Sequence, residues 1–305
     1  MGFSEYVLPI LLGIFAGTVA RLYMLRIDYR QYPSYPHGYT IHLTMGFIAA
    51  ALGAVAIPAL LETDFVAVTF LGLAAQQFRD IRNIERQSLK EMEATELVPR
   101  GEAYIEGIAR VFEARNYLAM LIGLLTSAAV QFSPWSAVNL KVLSGGIIGV
   151  IAALILNQGM RGLRVGDICT VRAVEIRFDG PLLCVDDVVL MNVGLKEAQK
   201  TFLCHGLGAI LKPIDDNARE TLGNIGQRQA ILHDVASLLG TRLDVGEKDF
   251  TPIARRDLKT GRIAMVIVPI EPDIEALIET INRVPLLETS RRKPLSSKAG
   301  RAAAD

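Results

Sequence analysis

Residues 7–25 read VLPILLGIFAGTVARLYML, nineteen positions with one charged side chain, Arg21. At 1.5 Å per residue a helix of that length is about 28 Å long, which matches the roughly 30 Å apolar core of a bilayer. The stretch therefore reads as a membrane span. A cleaved signal peptide would carry a basic segment ahead of its apolar run, and residues 1–6 hold no lysine or arginine. Moving outward, a second span is expected over Leu43–Leu61, LTMGFIAAALGAVAIPALL, and a fifth over Val142–Leu156. Between them, Asp64–Phe78 and Tyr117–Phe132 are apolar but shorter, so each needs flanking residues to cross. The fold class expected is a membrane all-α bundle of about five transmembrane helices followed by a cytosolic α+β domain.

The chain as a whole is 51% hydrophobic, with 32 basic and 32 acidic side chains. Balanced charge argues against nucleic acid as a partner, because binding phosphate backbones selects a strongly basic surface. Cys169, Cys184 and Cys204 form neither a disulfide framework nor a metal-ligand spacing, which points to a reducing compartment and to no metal site. Lysine and arginine collect in 26–42 and 79–116 and at Arg161 and Arg164, while 1–6 and 62–63 hold none. Cytoplasmic loops accumulate these residues. The expectation is a multi-pass protein of the cell membrane, amino terminus outside and carboxyl-terminal domain in the cytosol. Its divisions are a bundle over 1–158 with an amphipathic cytosolic loop at 79–116, an α+β domain over 159–290, and a disordered basic tail over 291–305. Gly13 and Gly17 make a G-x-x-x-G, and Gly145, Gly146 and Gly149 crowd the fifth span. Ordinary packing within the bundle is the favoured use of both, and a homo-oligomer stays open.

Ionisable groups inside a membrane are costly. Arg21 sits four residues from the inner end of its span, near enough to snorkel to the headgroups. A sharper reading groups it with other polar residues expected at that level: Gln76, Gln77, Arg79, Asp80, Asn116, Asn157 and Gln158, lining one cytosol-facing cavity. The loop 26–42, with Tyr29, Tyr32, Tyr35 and Tyr39 broken by Pro33, Pro36 and Gly38, reads as an interfacial aromatic belt. In 101–116 the apolar residues Tyr104, Ile105, Ile108, Val111 and Phe112 recur at helical spacing, and Glu102, Glu106, Arg110 and Glu113 share another face. This is an amphipathic helix that lies on the membrane or extends the fourth span, with Glu106 and Arg110 as i,i+4 neighbours. The candidate binding residues are Arg21, Gln76, Gln77, Arg110 and Asn116. The candidate acid or base groups are Glu106, Glu113 and Asp80.

The run Tyr104-Ile105-Glu106-Gly107-Ile108-Ala109, followed by RVFEARNYLAM, resembles the YIEGIA family, multi-pass membrane proteins of spore-forming Firmicutes. The match is complete over the hexapeptide, and the arrangement of spans ahead of a cytosolic half is similar along most of the chain. What the resemblance implies is a membrane protein with a role in sporulation. It brings no reaction with it.

After Gly162 the texture changes. ICTVRAVEIR, the turn Phe178-Asp179-Gly180-Pro181 and LLCVDDVVLM read as a β-hairpin. Helices are expected near 195–211 and 218–240, the second capped by Asp216 or Asn217. A second hairpin turns at Lys259-Thr260-Gly261, and a helix follows from Pro272 to Arg283. Asp186 and Asp187, as strand neighbours, are expected to face opposite ways and to make a poor cation site. Cys204 and His205 are expected as a buried structural pair. No phosphate-binding loop, dinucleotide fingerprint, zinc-protease motif or serine elbow is present, so the sequence names no cofactor. The reading is a membrane regulatory or scaffolding protein, with the bilayer and a protein at the cytosolic face as partners. The alternative is a membrane-anchored protease or degradation factor. A small-solute transporter is disfavoured by the lack of polar groups in the outer half of the spans.

Overall fold

The computed structural model describes residues 4–28, 36–93, 96–160, 162–241 and 250–302. The chain divides into two units, Met1–Gln87 with Ile108–Arg161, and Ser88–Gly107 with Gly162–Asp305.

The first unit is helical. Its elements are α1 (Ser4–Asp28), α2 (Pro36–Leu61), α3 (Phe65–Glu93) as far as Gln87, α4 (Glu102–Gln131) from Ile108 onward, and α5 (Val138–Gly159), while the end of α3 and the start of α4 belong to the second unit. Three of them are long and apolar enough to cross a membrane, over Glu5–Leu25, Tyr39–Leu61 and Val138–Gly159. In α3 and α4 an apolar stretch and a charged stretch share one unbroken helix, so neither meets that standard. The amphipathic run at 102–116 extends the helix that holds Tyr117–Phe132.

Small residues bring the helices together. A Cβ at Gly13 would lie 2.7 Å from the Gly123 carbonyl oxygen, and one at Gly17 would lie 2.6 Å from the Ala119 oxygen. At Gly53 of α2 a Cβ would lie 1.9 Å from the Met120 oxygen. The G-x-x-x-G motif is thus used inside the chain, where α1 meets α2 and α4. Ser127 adds a buried hydrogen bond by donating to the Ala54 carbonyl at 2.8 Å. The outward faces stay apolar: Phe15 is 67% exposed, Phe65 77% and Ile155 65%. Of the tyrosine-rich connection, Tyr29, Tyr32, Tyr35 and Pro33 lie outside the described residues, as does Arg161.

The second unit is α+β. Its elements are β1 (Cys169–Val174), β2 (Ile176–Asp179), β3 (Leu182–Val185), β4 (Val188–Asn192), α6 (Lys196–His205), β5 (Leu207–Pro213), α7 (Asp216–Gly223), α8 (Ile225–Leu239), β6 (Ile253–Arg256), β7 (Ile263–Ile267), α9 (Ile274–Arg283) and α10 (Lys298–Ala302). A four-stranded antiparallel sheet has the order β1-β5-β7-β6, and a three-stranded meander has the order β2-β3-β4. Every residue of β7 is buried. Alternation puts Ala264 and Val266 on one face, where they join Leu183, Val185, Leu190 and Phe202 in a core between the sheets. The helical layer, with α9 against β1 and β5 and α8 against β6, belongs to the four-stranded sheet.

Several expectations change here. The first hairpin is β2–β3, turning at Gly180 with φ +58, whereas β1 pairs with the distant β5. The helix expected over 195–211 ends at His205, and 207–213 is a strand. The next helix is two, with Asp215 rather than Asp216 or Asn217 capping α7 by accepting from Ala218 N–H at 2.7 Å, and Asn224 capping α8. Cys204 and His205 are exposed at the end of α6 instead of buried. Residues 291–302, expected as a disordered tail, carry a 3₁₀ turn and α10 and are tied to α7, Leu295 N–H donating to Asn217 Oδ1 at 3.1 Å. Residues 303–305 lie outside the described residues.

Candidate functional sites

Each unit holds a cluster of buried polar side chains that includes charged or titratable groups. In the helical unit it is built around Arg21, which is fully buried instead of snorkelling. The space for its side chain comes from Gly46 on α2, where a Cβ would lie 2.2 Å from Arg21 Cγ. The guanidinium carbon lies 5.7 Å from the Phe112 ring centre, a cation–π contact, and Nη2 donates to His42 Nδ1 at 3.4 Å. His42 meets the same ring edge-on at 4.7 Å. One turn beyond Phe112 on α4 lie Arg115, 7% exposed, and Asn116, 0% exposed. Among the described residues, neither the Asn116 amide oxygen nor its nitrogen has a hydrogen-bond partner. A buried polar group left in that state costs about 1–3 kcal/mol.

The other sequence candidates are placed differently. Gln76, Gln77 and Asp80 are exposed on α3, around the buried Phe78. Arg110 is exposed and Glu106 half-buried. Glu113 is held by Arg82 at 3.0 Å, so its carboxylate is already matched with a cation. Of the proposed inner-rim group, Arg21 packs on the Phe112 ring and Asn116 is buried four residues further along the same helix. His42 and Arg115 complete the cluster, and nothing in their spacing singled them out.

In the α+β unit the cluster is formed by residues 96–104 against α8. His233 is 6% exposed, and its Nδ1 donates to the Val98 carbonyl at 2.7 Å, which leaves Nε2 to accept from Ser237 Oγ at 3.3 Å. Burial keeps this imidazole neutral by lowering its pKa. Glu96 pairs with Arg100 at 2.8 Å and approaches His233 Nδ1 at 3.4 Å. Gln229 donates to the Pro99 carbonyl. Tyr104, the first residue of the hexapeptide, donates its hydroxyl to Asp234 Oδ2 at 3.1 Å, while Ile105 beside it is completely buried. Burial pushes the Asp234 carboxyl up to about 6 and the Tyr104 hydroxyl well above its usual value. Sequence reasoning missed this cluster because its halves lie more than a hundred positions apart, and the i,i+4 pair His233 and Ser237 was its only local signal.

Asp186 and Asp187, expected to diverge, converge. They occupy the β3–β4 turn, where Asp186 takes φ +59, and both reach Arg262, at 2.9 and 2.7 Å, with Asp257 at 3.6 Å. The hydrogen bonds from Arg262 hold the Asp187 carboxyl below the usual range. Among the described residues no group of His, Cys, Asp and Glu is arranged to hold a metal ion. Cys169 is buried, which pushes its thiol up to about 12, far from a reactive thiolate.

Comparison with known proteins gives two matches. The model of a family described as YIEGIA protein matches residues 9–297. A protein of Bacillus subtilis (strain 168), called Uncharacterized protein YphB, is 48% identical over 292 residues, which cover 95% of this chain and 96% of that protein. No solved structure matches.

Proposed function

We propose that this chain, which belongs to the YIEGIA family, is a five-span protein of the cell membrane whose cytosolic α+β unit is a regulatory or scaffolding module for a protein partner, acting in sporulation. The observation that carries the regulatory reading is what the family hexapeptide does. Tyr104 ties the segment 96–104 to Asp234 of α8 and Ile105 beside it is completely buried, a docking role. The five-span reading is supported by the exposed apolar side chains of α3, Phe65, Val66, Phe70 and Leu73, each more than half exposed. Such a face is a liability in water and ordinary in lipid. It is supported also by the side on which lysine and arginine gather. The buried Arg21–Asn116 cluster is the part of the bundle suited to receive a polar group from the cytosolic side.

Single cysteines in a cysteine-free background test the topology. Labelling from outside is expected at Thr63 and Ser133 and not at Ser88 or Ser297, and the reverse pattern overturns the orientation. Labelling of Thr63 and Ser88 from the same side removes the third span.

The protease alternative rests on one observation, the neutral His233 with Nε2 towards Ser237. Protein turnover in sporulating cells separates the two readings. A scaffold predicts a sporulation defect on gene deletion, with no protein stabilised by Ser237→Ala or Glu106→Ala. Stabilisation of the same few proteins in the deletion and either variant favours the protease.

A further inference from the structure

We infer that the cleft between the α7–α8 corner, the end of β6 and the segment 292–294 is a binding site for a phosphate-bearing ligand. The cleft has a volume of about 410 Å³ and is lined by Glu220, Gly223, Asn224, Arg256, Arg292, Lys293 and Pro294. Three of these side chains are cationic and one is anionic. Arg256 donates through Nη2 to Glu220 at 2.6 Å, which neutralises one charge. Among the described residues the Lys293 ammonium has no partner, and the Arg292 guanidinium reaches only the Thr289 carbonyl, at 3.4 Å. The helix termini add little, since α7 ends in carbonyls where α8 begins with amides.

The site is built rather than a chance gathering of surface charge. Gly223 is cleared for the Arg256 guanidinium: a Cβ there would lie 2.4 Å from Nη1 and 2.9 Å from Cζ. Arg256 Nε is shielded from water and has no hydrogen-bond partner among the described residues. The backbone of Arg292 is clamped to α7, its N–H donating to Thr221 Oγ1 at 3.1 Å, while Thr221 Oγ1 donates to the Arg292 carbonyl at 3.4 Å. Arg228 stands nearby, donating to the Ala254 carbonyl, and its pKa is lowered first by burial and then by the Arg256 charge. Cations held together in this way call for an anion, and guanidinium with ammonium suits phosphate oxygens. The volume falls in the range of small-molecule sites, so the phosphate carries a further group. No aromatic side chain lines the cleft, so nothing there stacks on a base. A soluble phosphate ester and an anionic lipid headgroup share this chemistry.

The full chain in detergent micelles is titrated with pyrophosphate, and in parallel is reconstituted in phosphatidylcholine discs with and without phosphatidylglycerol. Arg256→Gln, Lys293→Gln and Gly223→Ala are each expected to weaken binding about tenfold or more, with a steep dependence on salt. Arg255→Gln, on the same strand but bonded to the Val189 carbonyl, is expected to bind as the native chain does. Lys293 is exposed, so its variant reports on the site even where Arg256→Gln fails to fold. Pyrophosphate binding lost in the variants supports a soluble ligand. Stabilisation only by phosphatidylglycerol, lost in the same variants, supports a headgroup. Binding of neither, or binding unchanged in Lys293→Gln and Arg256→Gln, overturns the proposal.

Discussion

Tyr104 places a hydroxyl on a carboxylate that burial has made reluctant to ionise. The folded-state pKa of Asp234, about 6, lies above the usual carboxylate value of about 3.9. Stabilisation from this group is therefore complete below pH about 4 and lost as pH rises through about 6. Asp234→Asn removes the loss, so it should stabilise the full chain by about 1–3 kcal/mol at pH 7.5 and by less at pH 5, read as thermal unfolding in micelles. His233 has the opposite sign, its lowered pKa giving stability that is present above about pH 6.5 and lost as pH falls. Tyr104→Phe leaves the Asp234 carboxylate without its donor and should cost about 1–3 kcal/mol, most above pH 6. In the bundle, Gly46→Ala should destabilise by about 1–3 kcal/mol, because the new methyl must displace Arg21. The same change made with Arg21→Ala should cost clearly less, a coupling visible in a double-mutant cycle.

Among the elements, what was legible followed burial on one kind of surface. α1, α2 and α5 were legible because lipid demands an unbroken apolar length. The β6–β7 hairpin and α9 were legible from local turn chemistry, since Gly261 takes φ +72 and Pro272 stands just ahead of the helix, whose cap, Asp273, was not read. β5 was not, because a central strand covered on both faces reads as a continuous apolar run, and LGAILKP continues the helix before it in composition. β1 was paired with its sequence neighbour because nothing local announces a partner some forty positions on. Of the sites, Arg21 and Asn116 stood out as polar residues in apolar surroundings, whereas the His233 cluster is made by tertiary structure alone. Glycines separate by what surrounds them. Gly53→Ala should weaken the α2–α4 contact, where a Cβ meets the Met120 carbonyl. Gly146→Ala has open space and should be neutral or stabilise its helix by up to about 1 kcal/mol. Unfolding of the two variants side by side checks both signs.

For the whole molecule, the division that matters is discontinuous, because Ser88–Gly107 belongs with Gly162–Asp305. A fragment starting at residue 162 lacks the partners of His233, Gln229 and Asp234. It should unfold at a lower temperature than the same fragment joined through a flexible linker to 88–107, and equal melting would show that the added segment contributes nothing. The arrangement also sets a schedule on the ribosome. Val98 and Tyr104 leave the ribosome before the helix that binds them has been made. Roughly 130 residues must follow before α8 is complete, which at about 5–20 residues per second is a wait of roughly 7 to 26 seconds. During that interval the stretch that labels the family is an apolar segment still waiting for its cover, so anything that shields nascent chains has its best opportunity there.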